Sequence, residues 1–440
     1  MKLIKNKKAI LTREKMKNIY KEFVDLSYQP SQSDIVCLFK FSTKKEIEEA
    51  VGAIAAESST GTWTELTTET KEAIKKRAKV FEIKKNIAKI AYPIELFELG
   101  NMPQLLSSIA GNIFGMKEVE TLRLEDVGLP KEYIKSFKGP KFGINGVRKI
   151  FDVWDRPLLG AIIKPKLGLT TEAHVKVAKE EWIGGVDIIK DDENLTNQRF
   201  NTFKKRVELI MKAKKEAERI SGEKKVYLFN VTSETNEMLR RAKLVHDAGG
   251  EYIMVDILTV GFSALQTLIE EAQRLNLAVH AHRAMHAALT RNKKHGISML
   301  VIAKLARVVG VDQIHVGAVF GKMESSYKEV MQIVKEIKNE EINEKNLLYQ
   351  KWFGTKQVFP VASGGLHPGV VDKLYEVFGK DVIIQAGGGI AGHSQGPRKG
   401  AIAMKQALEA TLKGIPIKEY AKNHEELRIA LRDFGKGASE

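Results

Sequence analysis

The sequence predicts an α/β chain in which a (β/α)8 barrel, the TIM-barrel architecture, follows an N-terminal α+β domain. Three observations support this fold class. From about residue 155 onward, eight short apolar runs alternate with helix-like stretches. The runs are continuously apolar, which is typical of parallel strands that are buried on both faces. Eight such units over roughly 260 residues match the size of a closed eight-stranded barrel.

The N-terminal part begins with a mixture of strand and helix patterns. The apolar residues 35–41 predict a buried strand. Thr43 and Glu46 have the spacing of a capping box, which predicts the start of a helix over residues 47–56. Residues 80–91 predict further strand structure. Together these elements indicate an α+β domain.

The predicted barrel strands follow one another at nearly regular intervals. Gly184-Gly185 and Gly249-Gly250 precede the second and fourth strands, as helix-to-strand turns require. A doubly wound sheet is the alternative, but such sheets usually have fewer strands, and no GxGxxG motif follows the first one. The strands are predicted at residues 158–163, 186–189, 226–229, 252–255, 277–280, 313–315, 358–362 and 382–385. The predicted domains are residues 1–138, the barrel at 139–414, and a short helical C-terminal tail at 415–440.

The amino-acid composition limits the classes of binding partner that the chain could have. The chain carries a net charge of +16, which raises nucleic acid, anionic membranes and phosphorylated small molecules as candidates. The lysines lie on predicted helix faces beside many glutamates and form no nucleic-acid-binding motif, so we expect no nucleic acid partner. No apolar stretch is long enough to span a membrane, and we expect no membrane partner. The single cysteine, Cys37, excludes an internal disulfide and, with no secretory signal, favours a cytoplasmic location.

Polar residues at the predicted strand ends indicate an active site, because parallel barrel strands have their carboxyl ends at one rim. Strand one is followed by Lys164 and Lys166, and strand two by Lys190 and the acidic residues after it. Asp192 and Glu193 offer hard oxygen ligands that suit Mg²⁺. A desolvated lysine at position 190 would have a lowered pKa and would act as a nucleophile or base. Taken alone, this run is also compatible with a structural ion pair.

Two glycine-rich turns, Ser363-Gly364-Gly365 and Gly387-Gly388-Gly389, follow strands seven and eight. Backbone N–H groups of such turns can approach an oxyanion closely, and many barrels bind phosphate at this place. His282 with Arg283, and His315, follow strands five and six. They could bind a second phosphate or transfer protons, with a buried structural histidine as the alternative. Basic groups on opposite sides of the rim would suit a substrate with two phosphates.

The loop after strand six, residues 317–322, is apolar, contains two glycines and ends in Lys322. This pattern is typical of a mobile lid, and it is equally compatible with a plain βα loop that carries a solvated lysine. The two interpretations stay open at this point.

Taken together, these motifs resemble those of ribulose-1,5-bisphosphate carboxylase/oxygenase (RuBisCO) large chains. The matching segments occur in family order from about residue 35 to residue 410. They are AESSTGTW (56–63), GNIFG (111–115), LRLEDV (122–127), KPKLGL (164–169), GGVDIIKDDEN (184–194), HAHRAMHA (280–287), HVGAVFGK (315–322), PVASGGLH (360–367) and QAGGGIAGH (385–393).

The resemblance implies carboxylation of ribulose 1,5-bisphosphate by CO₂ and water, with competing oxygenation by O₂. Lys190 would be carbamylated by an activating CO₂ and, with Asp192 and Glu193, would bind Mg²⁺. The carbamate would also accept the C3 proton of the substrate. Lys164 would protonate the product carbanion, and Lys166 would support it electrostatically.

Further roles follow from the same resemblance. His282 would assist proton transfer, Lys322 would polarise CO₂ with Glu57 as its partner, and Asn112 would hold the nascent carboxylate. The residues implied in substrate binding are Thr62, Trp63, Lys166, Arg283, His315, Lys322, Ser363, Gly364, Gly365, Gly387 and Gly388.

The resemblance also implies an assembly. In the family, the N-terminal residues reach the barrel of a partner chain, so the expected unit is an antiparallel homodimer or a higher oligomer of dimers. Short termini, and Met-Glu-Ser-Ser after the lid lysine, depart from plant-type chains. The richness in lysine and glutamate and the single cysteine are more like archaeal form III chains, which work without a small subunit. That subtype implies a role in AMP salvage.

A RuBisCO-like enolase or isomerase of methionine salvage is the alternative function. Such proteins typically lose residues of the lid, of CO₂ handling or of phosphate binding. Lys322, Asn112, Lys166, Glu57 and His315 are all present, which favours a true carboxylase. A basic nucleic-acid-binding protein would leave the carboxylates and glycines at the strand ends unexplained.

Overall fold

A computed structural model describes residues 19–320 and 326–435 of the chain. These residues form two compact units. Among the described residues, the N-terminal unit comprises 19–138, 285–308 and 339–355, and the barrel unit comprises 139–284, 309–320, 326–338 and 356–435. No helix among the described residues is long and apolar enough to cross a membrane.

The N-terminal unit is built on a five-stranded sheet. Its central strand, Ile35–Ser42, pairs antiparallel with two neighbours, and every second residue of it is buried. The order across the sheet is Gly296–Ile297, Thr121–Gly128, Ile35–Ser42, Ile87–Tyr92 and Lys79–Lys84, and Glu341–Ile342 pairs separately with Gln350–Lys351. The helices are Ile47–Glu57, Lys71–Lys75, Met102–Ile109, Lys131–Lys135, His286–Thr290 and Met299–Val309, with 3-10 turns at Ile94–Leu96 and Asn112–Gly115.

The strand structure predicted over residues 80–91 is present as a hairpin of two strands, in which the chain reverses at Lys85, whose φ is +55°. One local prediction in this unit needs correction. The capping box at Thr43 and Glu46 is wrong. Glu46 itself is the N-cap and makes no side-chain capping bond, while the Thr43 hydroxyl donates to the carbonyl of Glu118 at 2.8 Å.

The barrel unit contains a closed barrel of eight parallel strands, which confirms the predicted fold class. The strands bury almost every residue, and most of the buried side chains are apolar. The helix Gly143–Phe151 packs Val147 and Phe151 against the first residues of several strands, so it closes the amino-terminal end. The strands are Leu158–Ile162, Ile188–Lys190, Val226–Asn230, Tyr252–Asp256, Ala278–His282, Gln313–His315, Phe359–Ser363 and Ile383–Ala386.

Helices flank the strands and continue into the C-terminal tail. Gly185 has φ +109°, and a Cβ at Gly184 would lie 2.5 Å from the Arg398 carbonyl oxygen, so this turn requires glycine at both positions. In the tail, the Leu427 amide donates to the Gln406 side chain at 3.0 Å, which docks it on an outer barrel helix. The remaining helices are Thr171–Ile183, Phe203–Ser221, Thr235–Asp247, Ile257–Arg274, Tyr327–Lys338, Val371–Phe378, Gly388–Ala391, Pro397–Leu412, Ile417–Tyr420 and Glu425–Phe434, with 3-10 turns at Pro368–Val370 and Ala421–Asn423.

Candidate active site

The polar residues predicted from the sequence lie at one end of the barrel. Each ends its strand or lies within about four residues of that end, and parallel strands present these ends at the same rim. The strand-terminal residues are Lys190 (strand two), Asp256 (four), His282 (five), His315 (six) and Ser363 (seven).

Lys190 is fully buried at the end of the second strand. Its Nζ donates to the carbonyl of Asp191 at 2.8 Å and lies 3.7 Å from Glu193 Oε2. Burial lowers the pKa of Lys190 despite the carboxylates around it. A lowered pKa favours the neutral amine, which is the nucleophilic form of a lysine.

Two carboxylates follow Lys190 in different surroundings. Asp192 is buried and accepts from Lys164 Nζ at 2.7 Å and from the Asn194 side chain at 3.0 Å. Burial raises the pKa of Asp192, but these hydrogen bonds outweigh it and hold the pKa below its usual range. Glu193 is more exposed, and Lys166 Nζ lies 3.6 Å from its Oε1. Burial also raises the pKa of Glu193, but Lys190, His282 and a backbone hydrogen bond together hold the pKa below its usual value.

His282 connects this carboxylate cluster to the fourth strand. Its Nδ1 lies 2.8 Å from Asp256 Oδ1, and its Nε2 lies 3.7 Å from Glu193 Oε2. Burial and the nearby Lys190 lower the pKa of His282, although Asp256 acts in the opposite direction. A neutral imidazole whose Nδ1–H is held by a carboxylate keeps Nε2 as a proton acceptor. His282 can therefore accept or return a proton at the rim.

The opposite part of the rim carries His315, Ser363 and Arg283. His315 Nδ1 lies 2.6 Å from Ser363 Oγ, and its ring packs edge-on against the ring of His282 at 4.8 Å. Desolvation lowers the pKa of Arg283 to about 10, which still leaves a cation at neutral pH. This side of the rim therefore offers a hydroxyl, an imidazole and a positive charge.

The glycine turns after strands seven and eight need glycine for geometric reasons. Gly364 and Gly365 have φ of +114° and +75°, a region that residues with a Cβ rarely adopt. A Cβ at Gly387 would lie 2.9 Å from the side chain of Lys164, so this turn packs closely on the lysine. Gly388 begins the short helix Gly388–Ala391, whose first N–H groups have no intrahelical acceptor.

The predicted N-terminal residues lie in the N-terminal unit. Glu57 ends the helix Ile47–Glu57, accepts from the Tyr20 hydroxyl at 3.3 Å, and has its pKa raised by burial. Thr62 and Trp63 lie in the following turn, where the Trp63 ring is 59% exposed. Asn112 begins a 3-10 turn and is exposed. Lys322, in contrast, lies outside the described residues.

Sequence reasoning missed a buried polar cluster beneath the carboxylates. Asp191 accepts from the hydroxyl of Tyr227 at 2.6 Å and from Arg206 Nε, and His174 Nε2 lies 2.6 Å from the same hydroxyl. The signal was masked because Arg206 belongs to a lysine-rich helix, Phe203–Ser221, that has the pattern of a solvated face. The cluster anchors the backbone between Lys190 and Asp192.

Family comparisons cover both units. The family described as "Ribulose bisphosphate carboxylase large chain, N-terminal domain" matches residues 22–133, and the corresponding catalytic domain matches residues 143–434. The ribulose bisphosphate carboxylase of Methanosarcina mazei is 48% identical over 420 residues, covering 93% of this chain and 98% of that protein. That of Pyrococcus horikoshii is 47% identical over 421 residues, covering 94% and 95%.

Solved structures agree with the sequence comparisons. The octameric RuBisCO of Pyrococcus horikoshii OT3, crystallised with sulfate, has a TM-score of 0.90 and 46% identity, covering 95% of this chain and 97% of that one. The dimeric archaeal RuBisCO of Hyperthermus butylicus has a TM-score of 0.90 and 47% identity, covering 95% and 99%. With both family domains matched and nearly half of the residues shared over almost its whole length, the chain belongs to the family of ribulose bisphosphate carboxylase large chains.

Proposed function

We propose that the chain catalyses the carboxylation of ribulose 1,5-bisphosphate by CO₂ and water to two molecules of 3-phosphoglycerate, with competing oxygenation by O₂. The observation that carries this proposal is the arrangement around Lys190. A buried amine with a lowered pKa lies beside two carboxylates at the open rim of the barrel. The family membership supports the same reaction.

The donor set fits Mg²⁺ on one condition. Among residues 19–320 and 326–435, no group of three or more His, Cys, Asp or Glu side chains is arranged to hold a metal. Asp192 and Glu193 provide two carboxylates, so a further hard oxygen donor has to come from another group. If the Lys190 amine adds to CO₂ and releases a proton, the resulting carbamate supplies it. The cation, when bound, would stabilise negative charge on the substrate.

Proton transfers fall to residues around this cluster. In our proposal, a carbamate oxygen on Lys190 accepts the C3 proton of the substrate, and His282 Nε2 handles protons during hydration. Lys164, which packs against Gly387 and donates to Asp192, protonates the product carbanion. Lys166 is more exposed than Lys164 and stabilises negative charge beside Glu193.

The two ends of the substrate are assigned to two different sets of rim residues. Arg283, His315 and Ser363 would bind one end through a positive charge and hydrogen-bonding groups. Gly364, Gly365, Gly387 and Gly388 would bind the phosphate at the other end through backbone N–H groups, together with Thr62 and Trp63. Lys322 would polarise CO₂, with Glu57 as its partner, and Asn112 would hold the new carboxylate.

A homodimer, or an oligomer of dimers, is part of the proposal. Glu57, Thr62, Trp63 and Asn112 belong to the N-terminal unit, and we propose that each chain supplies them to a partner's barrel. The solved relatives from Pyrococcus horikoshii and Hyperthermus butylicus are an octamer and a dimer, which supports a homo-oligomer.

The proposed metabolic setting is AMP salvage, supported by the similarity to an archaeal enzyme. An enolase or isomerase of methionine salvage on the same scaffold is the competing function. Incubation of the purified chain with Mg²⁺, ribulose 1,5-bisphosphate and labelled CO₂ tests the choice. Labelled 3-phosphoglycerate would support carboxylation. Turnover of a methionine-salvage enol substrate without labelled product would contradict it.

A further inference from the structure

A chain of polar side chains runs through the barrel wall to the rim. Gln313 Nε2 lies 2.7 Å from His280 Nδ1, and His280 Nε2 lies 2.8 Å from His315 Nε2. His315 Nδ1 lies 2.6 Å from Ser363 Oγ. Gln313 and both histidines are buried, whereas Ser363 is half-buried at the end of its strand. We call these four residues the histidine relay.

The protonation of the two histidine rings determines which atom donates and which accepts in each hydrogen bond of the histidine relay. Burial lowers the pKa of both His280 and His315 well below the usual value. Each ring is therefore neutral at physiological pH and carries one N–H group. Two neutral imidazoles that face each other through Nε2 must divide the roles of donor and acceptor.

Gln313 decides which ring donates. Its amide nitrogen faces His280 Nδ1, and its oxygen lies 3.5 Å from the buried hydroxyl of Tyr252. An amide NH₂ only donates, so His280 Nδ1 accepts and the ring carries its proton on Nε2. His280 then donates to His315 Nε2, and His315 carries its proton on Nδ1. The Ser363 oxygen accepts a hydrogen bond from this Nδ1–H group.

This polarity determines what Ser363 can offer a ligand. Because its oxygen accepts from His315, its own O–H points away from the relay and is available as a donor. With the opposite polarity, Ser363 would have to donate to His315 and would present no proton at the rim. A hydroxyl that donates suits a phosphate or sugar oxygen on a substrate, which has lone pairs to share.

We infer that Gln313 and His280 are positioning residues, which hold His315 in its Nδ1–H tautomer and so direct the proton of Ser363 towards a substrate oxygen. The role at the substrate rests on the proposed function, in which His315 and Ser363 bind one end of the sugar bisphosphate. The tautomer itself does not, because it is a property of the protein without substrate.

The first experiment reads the tautomers directly. Solid-state ¹⁵N NMR of histidine-labelled protein has only ten histidines to resolve, and an ¹⁵N–¹⁵N correlation across the 2.8 Å contact identifies the two rings. The expected result is a protonated Nε2 on His280 and a protonated Nδ1 on His315. A His315 ring that is protonated on Nε2 would overturn the inference without any mutation.

The second experiment removes the donor with little change in volume. In Gln313→Met, His280 Nδ1 loses its N–H partner, so both tautomers should become populated at both rings. The matched control is Gln385→Met, at another buried glutamine near a strand end whose side chain has no hydrogen-bond partner within the described part of the chain. The control should leave the histidine signals unchanged, and an unchanged spectrum in Gln313→Met would also contradict the inference.

The kinetic consequence separates positioning from simple structural support. Loss of one directed hydrogen bond to a charged ligand should raise the KM for ribulose 1,5-bisphosphate about tenfold. The value of kcat should change less, because the carboxylate cluster is untouched. A mixed tautomer with an unchanged KM would refute the role at the substrate. The expected tautomers in a protein that forms no 3-phosphoglycerate would instead count against the proposed function alone.

Discussion

Lys164 Nζ lies 2.7 Å from Asp192 Oδ2, so an ammonium group from strand one is bound to a carboxylate proposed as a metal ligand. The other oxygen of Asp192 accepts from Asn194. Glu193 has looser contacts, at 3.6 Å to Lys166 and 3.7 Å to Lys190. A cation that binds Asp192 therefore has to compete with Lys164, which links metal binding to the position of this lysine.

Lys164→Met should make Mg²⁺ bind more tightly, by about tenfold, since it removes a competing positive charge. Carboxylation should fall by about 10²–10⁴-fold, because a proton donor is lost. Calorimetric titration of the CO₂-treated enzyme with Mg²⁺ measures the affinity. Lys166→Met is the control and should change the affinity little, because Lys166 is more exposed and does not touch Asp192. Weaker binding in Lys164→Met would contradict this competition.

Lys190→Met should abolish metal-dependent carboxylation while leaving the melting temperature unchanged or higher. A buried amine with a lowered pKa contributes little to stability, and methionine fills a similar volume. The loss should exceed the range of about 10²–10⁴-fold for a general base, because the metal site is lost as well.

A second buried lysine provides the control for Lys190. Lys225 Nζ lies 2.7 Å from Glu223 and donates to the carbonyl of Val186 at 3.0 Å. Lys225→Met should therefore lower the melting temperature and spare catalysis in the protein that stays folded. A Lys190→Met enzyme within tenfold of the wild-type rate would be incompatible with our assignment.

Glu181→Gln should flatten the alkaline loss of stability. Glu181 is fully buried with no hydrogen-bond partner in the described part of the chain, and burial raises its pKa to about 8. A raised pKa means that its contribution to stability is complete below about pH 4.3, its usual pKa, and is lost as the pH rises through about 8. The free energy of unfolding, measured by thermal unfolding across this pH range, should therefore change less in the variant than in the wild type, by a few kcal/mol.

The neighbouring residue offers a matched control for this effect. Glu180 is largely on the surface, where it forms an ion pair with Arg398 at 2.7 Å. Glu180→Gln makes the same side-chain change one residue away and leaves the buried carboxyl of Glu181 in place, so the variant should keep the alkaline loss of stability. Equal pH profiles for wild type and Glu181→Gln would show that Glu181 is ionised in the folded protein.

Mixing two inactive variants should restore activity if sites are shared between chains. Lys190→Ala removes the proposed carbamate, and Asn112→Ala removes a residue of the N-terminal unit that we assign to the partner's site. A mixed dimer would contain one intact site. The product assay after subunit exchange, with exchange verified by mass-labelled chains, measures the recovery. Complete exchange with no recovery would argue for sites built within one chain.

Lys322→Ala should separate enolisation from carboxylation. The proposed role of Lys322 is to stabilise charge that appears only when CO₂ is attacked, so proton abstraction should continue without it. Exchange of the C3 proton with solvent deuterium should persist while 3-phosphoglycerate formation is nearly lost. A parallel fall of both activities would assign Lys322 to substrate binding or enolisation.

The sequence predicted the barrel well because its strands are buried on both faces. The predicted run 313–315 coincides with the strand Gln313–His315, and the other runs agree to within about two residues. The capping prediction failed because a tertiary partner, the carbonyl of Glu118, takes the Thr43 hydroxyl.

The polar residues of the rim could be predicted because they lie at or just after the ends of apolar runs. The side-chain contacts between distant parts of the chain could not be predicted. The 2.6 Å contact between Tyr227 and Asp191 joins residues 36 positions apart, and no pattern in their local sequence predicts it. The same holds for Gln313 and His280, which lie 33 positions apart on neighbouring strands.

The closure of the barrel has a consequence for synthesis of the chain. Strand eight pairs with strand one, Gln385 opposite Gly160, and Gly387 then packs against Lys164. Lys164 is made early, but its neighbour emerges from the ribosome more than two hundred residues later. A nascent chain can therefore carry every carboxylate of the cluster and still lack Gly387, which we assign to the phosphate site. Catalytic competence should appear only after nearly the whole chain has been synthesised.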